Sequence, residues 1–169
     1  RGDTVYCSVT PNDGTTDGTP VNSNTITIQN ALPSIASVEL TPTTSYEADT
    51  LNCTPLGWVD PDNDSEGYIY AWTVGGIDIG VNTGTLSGAF FNRGDDVFCT
   101  VTPDDGIDTG TDVDSNTITI QNTAPVLSSV SIGPSPAYEN STLSCSVGNS
   151  TDDDSDNISF TYQWLVNNG

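Results

Sequence analysis

Residues 93–122 repeat residues 1–30 at a constant offset of 92, with 21 of 30 positions identical. The stretch from Ser23 to Asn30 recurs letter for letter from Ser115 to Asn122. The same offset carries residues 31–77 onto 123–169 without a gap, with 15 of 47 identities. The retained residues are those a fold needs: Pro33/Pro125, Tyr46-Glu47/Tyr138-Glu139, Thr50-Leu51-x-Cys53/Thr142-Leu143-x-Cys145, Asp60/Asp152, Asp62/Asp154, Asp64/Asp156, Tyr70/Tyr162 and Trp72/Trp164. A fixed period of this length sets the architecture before any single motif does. The chain reads as the C-terminal part of one unit (1–30), a complete unit (31–122) and the N-terminal part of a third (123–169).

Charge and missing residue types narrow the function. There are 23 acidic residues against two Lys+Arg, no His and no Met, for a net charge of −21. Nucleic acid and anionic membranes repel such a surface, so neither is an expected partner. No run of 18 apolar residues exists to insert into a bilayer. The usual general bases and amine nucleophiles are absent with His and Lys, and the plentiful Ser and Thr have no imidazole to activate them. The carboxylates lie in short clusters beside Gly and Pro rather than as a separated pair of the kind that cleaves glycosides. The chain is therefore not expected to be an enzyme.

Strand signals run throughout. Val5, Cys7 and Val9 alternate with Tyr6, Ser8 and Thr10, a period of two. Further strands are expected at Thr25–Ile28, 35–40, 47–54, 68–74, 77–79, 85–91, 97–102 and 113–121. Turn chemistry such as Pro11-Asn12-Asp13-Gly14 separates them. The linkers Asn30-Ala31-Leu32-Pro33 and Asn122-Thr123-Ala124-Pro125 should be short and stiff, because proline fixes its own φ and holds its predecessor extended. No segment carries a helical period, so an all-β fold is predicted.

Cys53, Trp72 and Cys99, on an early, a middle and a late strand, resemble the Cys…Trp…Cys arrangement of immunoglobulin-like sandwiches, whose size the repeat length fits. Asp60-Pro61-Asp62-Asn63-Asp64 leading into Tyr68-Ile69-Tyr70-Ala71-Trp72, with Val101-Thr102-Pro103-Asp104-Asp105-Gly106 later, is similar to PKD-like repeats of long bacterial and archaeal surface proteins. A tyrosine corner would fall at position 97, which is Val97, so the sub-type is not the antibody one. The resemblance implies tandem immunoglobulin-like β-sandwich repeats. It also implies a disulfide between Cys53 and Cys99 beneath Trp72, with two reduced core cysteines as the alternative. Closing that loop stabilises the unit by roughly 4 kcal/mol on a chain-entropy estimate. A bridge implies an oxidising compartment, outside the cell or in a periplasm, and the surface-protein resemblance implies the extracellular space or the cell surface. Without Lys, a Lys–Asn isopeptide cross-link of the pilin type cannot form.

The acidic loops are the candidate site. Asp60, Asp62 and Asp64 alternate, and Asp152, Asp154 and Asp156 repeat them. Alternating carboxylates on a tight loop supply hard oxygen ligands, which suits Ca²⁺, although no Glu stands at loop position twelve as an EF-hand requires. In an immunoglobulin-like sandwich Asp104 and Asp105 would share that pole, beside linker residue Asn30. The alternative is a solvated acidic turn without metal.

Smaller signals have plainer readings. Arg1-Gly2-Asp3 and Arg93-Gly94-Asp95 spell an integrin-recognition tripeptide, but both sit at the same turn, and turn chemistry explains them. Glycosylation sequons at Asn52, Asn63, Asn140, Asn149 and Asn157 are near the number chance gives in so Ser/Thr-rich a chain. Trp58 has Ser150 as its counterpart; it could stack on a sugar, but packing over its own loop is the simpler expectation.

Two functional classes are expected. One is a structural module of an extracellular stalk, adhesin or fibre, with further copies of the repeat as its partners. The other is a carbohydrate-binding accessory module of a secreted enzyme, with glycans as its ligands. Near-identical tandem copies favour the first, since repetition supplies length. Cys7 and Cys145 have no mate inside their own partial units and are expected to pair with residues of further copies. Residues 123–169 and 1–30 are the front and back of one sandwich, lacking between them only the counterparts of 78–92. Such fragments should complete one another end to end, with roughly 40 Å of advance per sandwich. The ungapped offset favours one continuous polypeptide over separate subunits.

Overall fold

Alternating apolar residues bounded by Gly, Pro and Asp turns leave the backbone only strand ladders in which to satisfy its polar groups. The computed structural model describes residues 1–166. Residues 1–30 carry β1 (Thr4–Val5), β2 (Ser8–Val9), β3 (Val21–Asn22) and β4 (Ile26–Thr27). β1 pairs with β4 and β2 with β3, both antiparallel, as one interrupted hairpin. Residues 31–122 carry β5 (Ser37–Thr41), β6 (Thr50–Leu56), β7 (Gly67–Val74), β8 (Ile77–Asp78), β9 (Thr85–Ser87), β10 (Asp96–Asp104), β11 (Val113–Asp114) and β12 (Ile118–Thr119). One sheet has the order β5-β6-β9; the other runs β11-β10-β7-β8, with β12 also paired to β10. Beyond them β13 (Val126–Leu127) pairs with β16 (Ser150–Thr151), and β14 (Val130–Gly133) with β15 (Ser144–Val147). The chain is all-β with several sheets, an arrangement consistent with a β-sandwich.

The core lies between the two sheets of residues 31–122. Leu40, Leu51 and Leu86 come from one sheet, and Trp72, Val97, Val101 and Ile118 from the other. β10 shows the period plainly: Val97, Cys99, Val101 and Pro103 are buried and the residues between them are not. Each fully buried side chain of this size contributes about 1.5–3 kcal/mol of hydrophobic stabilisation. Trp72 is fully buried, and its indole N–H donates to the Thr83 carbonyl at 2.7 Å. A disulfide joins Cys53 of β6 to Cys99 of β10, so it ties one sheet to the other.

Strand ends differ from expectation for local reasons. β6 starts at Thr50, not at residue 47, because the Asp49 carboxylate accepts from the Tyr46 N–H at 2.8 Å and holds residues 45–49 in a turn. The stretch expected as a strand over 85–91 ends at Ser87 and becomes a 3-10 turn, Gly88–Phe90. The strand expected over 113–121 is split in two. Ser115 hydrogen-bonds the backbone of Cys99, while Asn116 turns to the other sheet. There its side-chain amide accepts from Leu40 N–H at 2.9 Å and donates to Leu40 C=O at 3.2 Å.

The expected Trp164 strand is a larger departure. Its counterpart β7 forms an eight-pair ladder with β10. Residues 161–166 have no such partner and form no ladder, and residues 167–169, the end of the expected third part, lie outside those described. Among the described residues no helix is long and apolar enough to cross a membrane.

Candidate functional site: the carboxylate junction

The loop between β6 and β7 is shaped by its own first aspartate. Asp60 Oδ1 accepts from the N–H of Asp62 at 2.7 Å and of Asp64 at 3.3 Å, and Asn63 takes a left-handed φ of 59° to close the turn. The counterpart loop is built the same way. Asp152 Oδ1 accepts from Asp154 N–H at 3.0 Å and Asp156 N–H at 3.2 Å, and Ser155 has φ 61°. Asx turns of this kind hold each loop tight and leave carboxylate oxygens of Asp62, Asp64, Asp154 and Asp156 free for other partners.

Those oxygens meet the linkers. Asp62 Oδ2 accepts from the Ala31 N–H at 2.7 Å, and Asp154 Oδ2 accepts from the Thr123 N–H. Arg1 Nη1 donates to Asn30 Oδ1 at 2.8 Å and ion-pairs with Asp64 Oδ2 at 2.7 Å. Arg93 Nη1 donates to Asn122 Oδ1 at 2.5 Å and ion-pairs with Asp156. The chain's only two cations thus do the same work, each tying the turn before a cysteine strand to an acidic loop 63 residues further on. Sequence reasoning placed both arginines in turns and missed this staple. The available signal was that the only two cationic residues stand at the repeat offset.

Asn30 extends the first junction: its Nδ2 donates to Asp105 Oδ2 at 2.8 Å and to Asp108 Oδ2 at 3.2 Å. Asp105 is buried, and its other oxygen accepts from the N–H groups of Ile107 and Asp108. The Asp108 N–H bond, helped by Asn30, Ile107 and the nearby Arg1, holds the Asp105 carboxyl below its ordinary range against the opposing effect of burial. Asp104 stands apart, accepting from Gly106 N–H within its own turn. Asp108, not foreseen, joins the junction in its place. Gly110 follows against the linker, where an added Cβ would stand 2.0 Å from the Pro33 carbonyl oxygen, so only glycine fits.

One shielded oxygen in each loop is left over. Asp60 Oδ2 and Asp154 Oδ1 are shielded from solvent and accept no hydrogen bond. Asp152, Asp154 and Asp156 each offer an oxygen within 4.8 Å of the others, the one such acidic group among the described residues. The Asp60, Asp62 and Asp64 oxygens do not draw together to that degree.

The remaining candidates are placed as follows. Trp58 is half-buried against the core and meets Tyr68 edge-on, with ring centroids 5.7 Å apart. The Tyr68 hydroxyl donates to Glu66, and burial followed by this bond pushes its pKa well above the ordinary range. Asn52, Asn63, Asn140, Asn149 and Asn157 are all exposed. Cys7 and Cys145 are free thiols. No family model matches the sequence, and no curated protein matches it.

Proposed function

We propose that the chain is a structural module of an extracellular stalk, adhesin or fibre, built from immunoglobulin-like repeats set end to end. The observation that carries this reading is the recurrence of one junction at the repeat offset of 92: Arg1 with Asn30 and Asp64, then Arg93 with Asn122 and Asp156. A junction built twice from the same side chains gives successive units the same relation, which is what a regular rod requires. The Cys53–Cys99 bridge fits an oxidising, extracellular setting.

Calcium is part of the proposal. Asp60, Asp62 and Asp64 in one loop, and Asp152, Asp154 and Asp156 in the other, would hold it, with Asp105 beside the first. The unpaired Asp60 Oδ2 and Asp154 Oδ1 support this, since hard carboxylate oxygens without a donor suit a hard cation. A bound ion would offset the carboxylate repulsion at each junction. The carbohydrate-binding alternative has less support: Trp58 packs edge-on to Tyr68 rather than offering a flat platform.

Small-angle X-ray scattering on the wild type and on Arg93→Gln tests the rod. Exposed ion pairs contribute under about 1 kcal/mol, so the variant should melt almost as the wild type does. Its scattering should nevertheless show a broader spread of end-to-end distances. A compact wild-type particle, or identical scattering from both proteins, would refute the proposal.

A further inference from the structure

A hollow of about 430 Å³ beside the first acidic loop is lined by Trp58, Val59, Asp60, Asn63, Asp64 and Glu66. Ligand sites usually enclose about 300–1,000 Å³. The aspartates of this lining belong to the repeat, since Asp60 and Asp64 recur as Asp152 and Asp156. The rest of the wall does not. Trp58, Val59 and Glu66 have Ser150, Thr151 and Ile158 as counterparts, and Tyr68 behind them has Phe160. The second loop keeps the same Asx turn without these residues, so the turn does not require them.

The added wall is braced from the fold. Trp58 packs against the core and meets Tyr68 edge-on, and the Tyr68 hydroxyl donates to Glu66. Tyr68 stands on β7 opposite Pro103 of β10, so a sheet strand holds both the indole and the carboxylate. Asp60 brings an Oδ2 to which no group donates among the described residues.

Apart from Asn63, the polar side chains here are carboxylates. A neutral sugar would leave their charge without an offset, and a metal ion would leave the indole without a use. A planar organic cation answers to both. Indole attracts a cation more strongly than the other aromatic rings do. Carboxylates bind guanidinium through strong, paired, charge-assisted hydrogen bonds. This loop already takes that group on its linker side, where Arg1 pairs with Asp64, and the second loop takes Arg93 on Asp156 in the same way.

We infer that the hollow beside Trp58 binds the guanidinium of an arginine side chain on a partner polypeptide. The partner is a different protein, because the chain's only two cationic side chains, Arg1 and Arg93, are both already paired. A net charge of −21 attracts a basic partner and repels a second copy. Arginine suits the site better than lysine. Its fork spreads five N–H donors over one plane, and the acceptors come from both ends of the loop, Asp60 and Glu66; an ammonium is a point charge.

The binding stands apart from the repeat-module reading; only its use as an attachment point along a rod rests on that reading. The test follows the tryptophan indole N–H signals of the full chain by NMR, at low salt and in chelator, while acetyl-Gly-Arg-Gly-amide is added. The Trp58 signal should shift to saturation and the Trp72 signal should stay. The matching citrulline peptide, neutral and of similar shape, should produce no shift, and the lysine peptide should bind several-fold more weakly. Glu66→Gln still accepts from Tyr68, so it should keep the melting temperature while weakening the arginine peptide about tenfold. Asp152→Asn, in the second loop, should bind as the wild type does. No saturable shift at Trp58, citrulline or lysine peptides that bind as well as the arginine one, or a Glu66→Gln protein of unchanged affinity would each overturn the inference. A wild type that proved compact in scattering would sink the rod and leave this binding result untouched.

Discussion

Trp72 and Trp164 occupy one position of the repeat in two circumstances, and the difference sets what each is worth. Trp72 is fully buried and its indole is hydrogen-bonded; Trp164 is largely exposed. Removing a large buried aromatic costs its transfer energy plus the cavity left behind, so Trp72→Ala should destabilise residues 31–122 by about 3–5 kcal/mol. Trp164→Ala should leave the urea midpoint in dilute solution within error of wild type. Asp105 offers a second residue-scale check. Its carboxyl is held below the ordinary value of 3.8 in the folded state, chiefly by the Asp108 N–H. A group whose folded pKa is depressed stabilises the fold above its unfolded pKa, and that stabilisation fades as pH falls through the folded value. The urea midpoints of wild type and Asp105→Asn should therefore differ by a constant amount at neutral pH and converge in acid. A gap that persisted at pH 2 would show that the carboxylate's charge is not what matters there.

At the scale of elements, Asn116 shows how one side chain can replace a ladder. It closes both the donor and the acceptor of Leu40, a fully buried residue, and so joins the β11–β12 break to the opposite sheet. Asn116→Ala leaves those two backbone groups without partners, at about 1–3 kcal/mol for a buried group. Its counterpart Asn24 is exposed, so Asn24→Ala is the matched control and should change the melting temperature of residues 31–122 little. Equal losses from both substitutions would mean that intrinsic turn preference, not the Leu40 contact, is being measured. The same break shows what a sequence can and cannot tell. The centres of β6, β7 and β10 were legible because Cys53, Trp72 and Cys99 sit on alternating apolar runs. The split at Ser115–Asn116 was not, since it depends on a backbone 76 residues away. Nor was the missing ladder at Trp164, because its apolar pattern is that of a strand and what differs is that no strand pairs with it among the described residues. In the junction, the alternating aspartates were plain from their spacing. Asp108 and the two arginines were not, because their roles exist only once distant loops meet.

For the molecule as a whole, charge is the dominant unresolved force. Twenty-three carboxylates are offset by only two arginines, for a formal net charge of −21, and both arginines stand among clustered carboxylates. Self-repulsion of this size works against the compact state. Monovalent salt screens it over a Debye length of about 8–10 Å, so added NaCl should raise the melting temperature gradually. On the proposed calcium reading, Ca²⁺ should act differently, by coordination rather than by screening. Extracellular modules hold Ca²⁺ with dissociation constants of about 0.1–1 mM. At a few millimolar Ca²⁺, mass action on a site at the tight end of that range stabilises the folded, aligned state by about 2 kcal/mol. The expected result is a rise in melting temperature and a narrower spread of interparticle dimensions in Ca²⁺ than in NaCl of equal ionic strength, reversed by chelator. Asp154→Asn should remove the calcium-specific part at the second junction and keep the response to NaCl, because it alters the orphaned Asp154 Oδ1 while leaving Arg93 its partner Asp156. If Ca²⁺ and NaCl at matched ionic strength gave the same melting curve and the same scattering, the acidic loops would be solvated turns. The junction would then be held by its arginines alone.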